Sequence, residues 1–558
     1  MRERTRHLVA ALTGLGLGLA ALGPGLAPGF VLSYDMVFVP DPAFTRLTFG
    51  LTGTVPRHVP SDAVVTALAT VVPADAVQKL VLLAIFVMAC ASAASLVPSE
   101  RLAPRLAAGV CYAWNPFVAE RLLLGQWALL LGYAALPWVV AAAARADERG
   151  GGRRLVRVLV PAAIGGFAAL AVSGLTALVV ALATARGRGA AKAVGAVAVL
   201  SLPWLVPGLL RPGGLPSDGT AVDLFAARAD TPFGTLGSLL ALGGVWNGET
   251  VPSGYGTPVT ASLWLAVVVG ALAAYGAWCR EPGWRRGAAF AAGAGFAVAA
   301  LGAVAAPVLD GLVGLWPGFA VLRDGQQFVA PLAVVVAVGL GTAADRAAAA
   351  RLPGVALAAV AVPVFLLPTL AFGAAGDLRA VRYPDDWARA RRIVDGDPAK
   401  GDVLVLPWAA YRSYPWNHGR RVLDPLPRYL HRRVVVNDAV TVGGATVAPE
   451  DPKAVRLAPA TASAAALRAA GVRYVVVDAE TAAHRPAGEV REVLRGRDLA
   501  VYRIDGSAAP PGDGVPVAPA VAAWAVTGLA VAWSIRVPRA TLSLPLLGSI
   551  KPRSRRTP

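Results

Sequence analysis

Apolar stretches of about twenty residues recur along most of this 558-residue chain. A helix of that length crosses the roughly 30 Å hydrocarbon core of a bilayer, and it satisfies its own backbone polar groups, as hydrocarbon requires. Only 15% of the residues are charged, where a soluble domain carries roughly 25%. The pattern predicts an α-helical polytopic membrane protein with about twelve transmembrane helices. A net charge of +18 would suggest nucleic acid in a soluble chain. Here the arginines gather in short loops between apolar stretches, where positive residues fix topology, so no nucleic acid is expected.

The basic start MRERTRH precedes a first span over Leu8 to about Leu32, read as uncleaved. A long first outside loop follows, Ser33 to Pro73, with a short helix in VPSDAVVTALATVVP capped by Ser61 or Asp62. Further spans are expected at Asp75–Val97, Leu102–Trp114, Trp127–Ala144, Leu155–Val172, Leu175–Ala185, Ala190–Leu210, Ala261–Trp278, Ala288–Leu309, Val329–Ala344, Gly354–Phe372 and Val517–Ile535. Charge parity requires two passes within 155–185. With one pass, the clusters at Arg186, Arg188 and Lys192 and at Arg280, Arg285 and Arg286 would face outside, against the positive-inside rule. With two, both termini and the tail KPRSRRTP are cytoplasmic. The segments Ser33–Pro73, Asn115–Gln126, Arg211–Thr260 and Asp310–Phe328 are then outside.

Texture changes between residues 373 and 514. DVLVLP, RRVVVNDAV, GVRYVVVD and LAVYRID are short β-branched runs and read as strands. DDWARARRIV, TASAAALRAA and AGEVREVLR read as helices. The division is therefore 1–372 transmembrane, 373–514 a C-terminal extracytoplasmic small α/β domain, and 515–558 a last span with a basic tail.

Cys90, Cys111 and Cys279 lie in or beside apolar stretches and offer no disulfide framework. No HExxH or similar pattern predicts a metal site, and no cofactor is expected. Asp35 lies just beyond the first span in GFVLSYDMVFVPDP, among apolar neighbours. A carboxylate there is costly unless solvated, paired or used; it reads as an interfacial cap or as a base whose desolvation raises its pKa. Asp41 sits in a Pro-Asp-Pro turn. In NPFVAERLLLGQW, Glu120 and Arg121 fall in a short outside turn between Trp114 and Trp127, which suit an interfacial aromatic belt. Arg121 reads either as a phosphate ligand or as a local partner of Glu120. Arg323, beside Asp324 before a late span, offers the same two readings and is expected to be mostly solvated. The loop Arg211–Thr260 carries Asp218, Asp223, Arg228, Asp230 and Glu249 with Trp246, Asn247 and Tyr255, a set that suits sugar contact or any wet loop. WAAYRSYPWNHGRR, 408–421, suits carbohydrate contact or docking onto the membrane half.

Three elements, SYDMVFVP, NPFVAERLLLGQW and LRDGQQF, together resemble the GT-C type glycosyltransferases, in particular the actinobacterial arabinofuranosyltransferase-like membrane proteins. The first loop lacks the Asp-Asp or Glu-x-Asp pair of several such families, which leaves divalent metal use and activity itself open. The resemblance implies a polyprenyl-phosphate sugar donor in the outer leaflet and an envelope glycan or glycolipid acceptor. It implies Asp35 as the base, with Asp41 the second acidic candidate in that loop, and Arg323 and Arg121 on the donor phosphate. Glu120, Trp246, Asn247 and Tyr255 are candidates for acceptor or sugar contact. Two rivals stay open, a lipid or glycan transporter and a non-catalytic envelope scaffold.

Overall fold

The computed structural model describes residues 3–184, 187–212, 220–281, 283–442, 444–478, 485–507 and 514–535. Arg186, Asp218, part of the stretch 508–519 and the basic tail lie outside the described residues. Each expected apolar stretch forms a helix, beginning with Glu3–Leu22. Among the described residues, eight helices are long and apolar enough to cross a membrane. Leu102–Ala113, Trp127–Ala143, Gly151–Ile164 and Pro353–Leu366 are shorter. The helix Ala330–Ala349 is buried at every position from Ala330 to Thr342, as an all-round apolar sequence should be. Small residues let helices approach closely: a Cβ on Gly14 would lie 2.8 Å from the Cα of Val87.

Several boundaries differ from expectation. The break between 151 and 184 falls at Gly165-Gly166, with Gly166 at φ +80°. Gly174 instead sits inside the helix Phe167–Thr184, because a lone glycine in a helix is tolerated. The helix Arg285–Val304 stops before Pro307, and Ala306–Leu315 is a separate helix. The stretch from Pro353 to Gly376 is bent by 62°, where Pro368 denies the helix a donor. The helix Ser61–Ala69 forms, but neither Ser61 nor Asp62 caps it. Asp62 pairs with Arg428 at 2.8 Å instead.

The segment after the bend carries one five-stranded sheet, of β1 (Asp402–Leu406), β2 (Val434–Val435), β3 (Val472–Asp478), β4 (Arg491–Arg495) and β5 (Leu499–Arg503), among shorter two-stranded pairs. The sheet is mixed, in the order β4-β5-β3-β1-β2. β1 runs parallel to β2 and β3, and β5 is antiparallel to β3 and β4. REVLR is thus a strand, not the expected helix. It pairs along β5, with Glu492 opposite Tyr502, so sheet pairing overrides helix propensity. Alternation along β1 sends Leu404 and Leu406 to one core, with Leu457 and Leu467. Val403 and Val405 go to the other, with Trp387 and Val394 of the helix Asp385–Asp395.

This sheet region docks on the first long loop. Phe30 and Val31 pair antiparallel with Val381 and Ala380, and Tyr383 packs on Phe30, Trp387, Trp416 and Tyr429. The hairpin Tyr411–Ser413 with Arg421–Leu423 reaches from the sheet region to the loop. Its root is a buried ion pair: Arg412 Nε donates to Asp424 at 2.8 Å, with side chains 3% and 0% exposed. Removing one member leaves the other charge uncompensated, so Arg412→Ala is expected to cost about 3–5 kcal/mol in denaturant unfolding. The double variant Arg412→Ala/Asp424→Ala should cost less than the sum of the two singles.

Candidate active site

The four long connecting segments meet the sheet region at one end of the bundle. At the other end lie the basic loops, with Arg101 on Asp345 at 3.0 Å and Arg105 on Glu3 at 2.7 Å. Backbone contacts place Asp35. Tyr34 adopts a left-handed φ of +45°. Its N–H donates to the Arg421 carbonyl at 2.7 Å, and its own carbonyl accepts from Leu423 N–H at 2.9 Å. Ser33 Oγ donates to the Leu123 carbonyl at 2.6 Å and accepts from Arg420 Nε at 2.7 Å. Asp35 N–H donates to the Leu124 carbonyl at 3.1 Å. The loop is thereby clamped between the hairpin and the end of the helix Pro116–Leu123.

The Asp35 carboxylate accepts a 2.6 Å hydrogen bond from the Tyr411 hydroxyl. Burial raises its pKa, the Tyr411 bond pulls it down, and the nearby charge of Asp324 pushes it up again; the net shift is upward. Asp324 is raised too, by burial first, although Arg121 and the side chains of Gln327 and Gln126 favour its ionised form. Gln326 and Gln327 each donate to one of its carboxylate oxygens.

Beside these carboxylates lies a cationic cluster. Arg57 Nη2 is 2.7 Å from Glu450 Oε1 and 2.6 Å from Oε2. Arg323 Nη2 is 3.6 Å from the same Oε1, with its guanidinium 5.2 Å over the Phe225 ring. Arg211 donates to the Glu450 backbone carbonyl. Burial pushes Glu450 up, but Arg57 and Arg323 outweigh it and hold its pKa below the usual value. Arg323 is therefore not mostly solvated; its side chain is 19% exposed, because Phe225 and Glu450 cover it.

The other expected residues are distributed as follows. Glu120 and Arg121 occupy no turn; both are buried in the helix Pro116–Leu123. Asn115 caps that helix by accepting from Val118 N–H, with Pro116 in its first turn; the preceding helix ends at Ala113, so Asn115-Pro116 follows one helix and starts the next. Arg121 donates to Gln126 at 3.1 Å and lies over Phe117. Glu120 faces Asp230, and burial together with that neighbour pushes its pKa well up. Trp114 and Trp127 are buried rather than interfacial; the Trp114 indole donates to the Leu367 carbonyl at 2.9 Å. Trp246 packs against the cluster of Tyr34, Leu124 and Val245 and edge-on to Phe225, and Asn247 caps the turn at Glu249. Tyr255 is 1% exposed, its hydroxyl donating to the Ala241 carbonyl at 3.2 Å. Asp41 stands apart, 82% exposed and paired with Arg391 at 3.0 Å. Among the described residues no three His, Cys, Asp or Glu side chains converge as metal ligands.

Comparison with known proteins gives the architecture. The chain superposes on the mycobacterial arabinofuranosyltransferase AftD with a TM-score of 0.54 at 19% identity. The match covers 90% of this chain and 40% of AftD. The chain shares the fold of that part of AftD, a GT-C glycosyltransferase. A more distant likeness, TM-score 0.43 at 14% identity, is to ArnT from Cupriavidus metallidurans, covering 90% of this chain and 98% of ArnT. A scan of protein-family models and a search of curated proteins gave no match.

Within this GT-C fold, sequence reasoning missed Arg57, Arg211 and Glu450, which lie far apart in sequence and in unremarkable loop contexts. It named the segment containing Tyr411 without naming Tyr411. Docking is the alternative seen for 408–421, through Arg420, Arg421 and Tyr411. One missed signal was legible: Gly125, between NPFVAERLLL and QW, has φ +78°, and a Cβ there would lie 2.9 Å from Asp35 N and closer still to Ser33 O. Gly125→Ala should cost about 1–3 kcal/mol. It should also speed amide exchange at Asp35 and Met36 in hydrogen–deuterium exchange, more than at β3.

Asp438 gives a pH test. Burial first, then Asp451 and Glu450, raise it from 3.8 to about 6. The folded chain therefore holds a proton that the unfolded chain has released, so this stabilisation is full at low pH and lost as pH rises from about 4 to about 6. The melting temperature of the wild type minus that of Asp438→Asn should fall across that window.

Proposed function

We propose that the chain is a membrane glycosyltransferase that transfers a sugar from a polyprenyl-phosphate donor to an envelope glycan or glycolipid. The end carrying the sheet region would be extracytoplasmic, because the basic loops lie at the other end. Likeness to AftD makes an arabinofuranosyl donor the first to test. In this reading Asp35 accepts the proton of the acceptor hydroxyl. The hydroxyl oxygen attacks the anomeric carbon, the bond from that carbon to the phosphate oxygen breaks, and the lipid phosphate leaves with the electron pair. Arg323, with Arg57 and Arg211, meets that growing negative charge, and the charge of Arg121 favours the ionised form of Asp324. Tyr411 orients the base.

The observation that carries this reading is the position of Arg57. Its charge acts on Asp35, and its guanidinium shares Glu450 with Arg323. In this reading Arg57 couples the charge of the base to that of the phosphate ligands, an arrangement that a scaffold without chemistry has no need to keep.

Asp35→Asn tests it directly. The swap keeps the shape and removes the proton acceptor, so turnover should fall by roughly 10²–10⁴-fold with little change in melting. Wild-type rates should rise with pH through a value above the ordinary carboxylate range, in line with the raised pKa. Asp41→Asn, at the exposed pair with Arg391, should be mild. Wild-type envelope glycans in an Asp35→Asn strain would remove Asp35 as the base.

A further inference from the structure

We propose that Glu450 is a built-in stand-in for the donor's phosphate: its carboxylate occupies the anion seat formed by Arg57 and Arg323, and it yields that seat to a phosphate ester. The inference rests on the phosphate-binding role proposed above for Arg323 and adds a mobile competitor to it.

Three cations converge on this residue from three separate loops. Arg57 comes from the loop after the first span, Arg211 from the end of the helix Gly187–Leu209, and Arg323 from the loop before Ala330. Their contacts with Glu450 divide into two kinds. The backbone of Glu450 is pinned: its N–H donates to Asp438 Oδ1 at 3.1 Å, and its carbonyl accepts from Arg211. The next N–H, of Asp451, donates to Asp438 Oδ2 at 3.0 Å. The carboxylate alone faces Arg57, at 2.6 and 2.7 Å, and Arg323, at 3.6 Å. A rotation of the Glu450 side chain therefore vacates the seat while every backbone anchor stays in place.

The charges favour such an exchange. A carboxylate presents two oxygens and one negative charge to guanidinium groups; a phosphate ester presents the same pattern with more acceptors. Three guanidiniums exceed by one charge the two carboxylates of Glu450 and Asp438 that act on them. An unmet positive charge remains for a second anion. During transfer, a phosphodiester with one negative charge becomes a phosphomonoester approaching two. The cluster then grips the leaving phosphate more tightly than the donor. A returning Glu450 carboxylate supplies the competitor that releases it. The same geometry accommodates inorganic phosphate, so the shared chemistry is a phosphate anion.

The test uses the purified full chain in neutral detergent at fixed salt and pH 7.5, titrated with dodecyl phosphate, inorganic phosphate and dodecanol. A seat open in about 10% or less of molecules weakens binding by about tenfold or more. Glu450→Gln should therefore bind dodecyl phosphate at least about tenfold tighter than wild type. Glu450→Asp, one methylene shorter, should show part of the gain, and Glu450→Gln/Arg57→Ala should lose it. A gain shared by inorganic phosphate marks a general anion seat, and a gain confined to dodecyl phosphate marks a lipid headgroup seat; both support the stand-in. Unchanged or weaker binding in Glu450→Gln overturns it and makes Glu450 a positioning residue for the arginines. If neither Glu450 variant folds, Glu450 is a structural counter-ion and the proposal falls. If wild type binds dodecyl phosphate through Arg57 and Arg323 but Glu450→Gln shows no gain, only this inference fails. If no form binds dodecyl phosphate above dodecanol, the phosphate reading of Arg323 fails with it.

Discussion

The polar end of this molecule depends on the hairpin Tyr411–Leu423 being seated in the first loop. Two backbone hydrogen bonds, Tyr34 to Arg421 and Leu423 to Tyr34, join the membrane half to the sheet region as if they were adjacent strands. They fix Tyr34 in a left-handed conformation that a tyrosine rarely adopts. That conformation turns the next residue, Asp35, toward Tyr411. A carboxylate at the edge of a bilayer core is unstable without partners. Here the partners come from a region some 375 residues later in the chain, Tyr411 being 376 positions from Asp35. The sheet region thus completes the membrane-embedded half of the site.

The same dependence runs through the cations. Arg57, Arg211 and Arg323 would repel one another at the mouth of an apolar bundle, and burial, then Arg57, lowers the pKa of Arg323. Glu450 from the sheet region relieves that repulsion. Its own position is set by Asp438, whose two oxygens hold consecutive backbone N–H groups. The sheet region therefore supplies both the hydroxyl that binds Asp35 and the anion that balances the arginines. Buried groups of one sign held together by one residue of the other sign form a poised arrangement, because the cost of desolvating each charge is met only while the counter-charge stays.

Legibility in the sequence followed physical range. Apolar length is a local property, and each expected stretch has its helix; the likeness to AftD agrees with the GT-C fold read from SYDMVFVP, NPFVAERLLLGQW and LRDGQQF. One boundary failed where a local rule was misapplied: Gly165-Gly166 broke a helix that Gly174 did not. REVLR failed for a different reason. Its helical composition lost to pairing with β5, a choice made by tertiary contact. Within the site, Asp35 and Arg323 were visible because charge beside a span is locally expensive. Arg57, Arg211 and Glu450 were not visible, because each is ordinary in its own loop and acquires meaning only from two others more than a hundred residues away. Tyr255, an aromatic in a wet-looking loop, proved to be core, since nothing local distinguishes a tyrosine that stacks on a ligand from one that donates to a buried carbonyl.

Two buried acidic pairs show how differently one end of a bundle treats carboxylates. Glu120 and Asp230 face each other, and burial with that neighbour drives Glu120 strongly toward its neutral form against the charge of Arg121. Asp35 and Asp324 also feel each other, but each has a donor set of its own: Tyr411 for one, Gln126, Gln326 and Gln327 for the other, with Arg121 near Asp324 and Arg57 near Asp35. The first arrangement suits a shared proton and a fixed structure. The second sets opposing influences on Asp35: burial and Asp324 favour the acid, while Tyr411 and Arg57 favour the carboxylate. A proton acceptor has to pass between those states on every turnover, and on that physical ground Asp35 is a better candidate base than Glu120, though Glu120 is the more deeply buried.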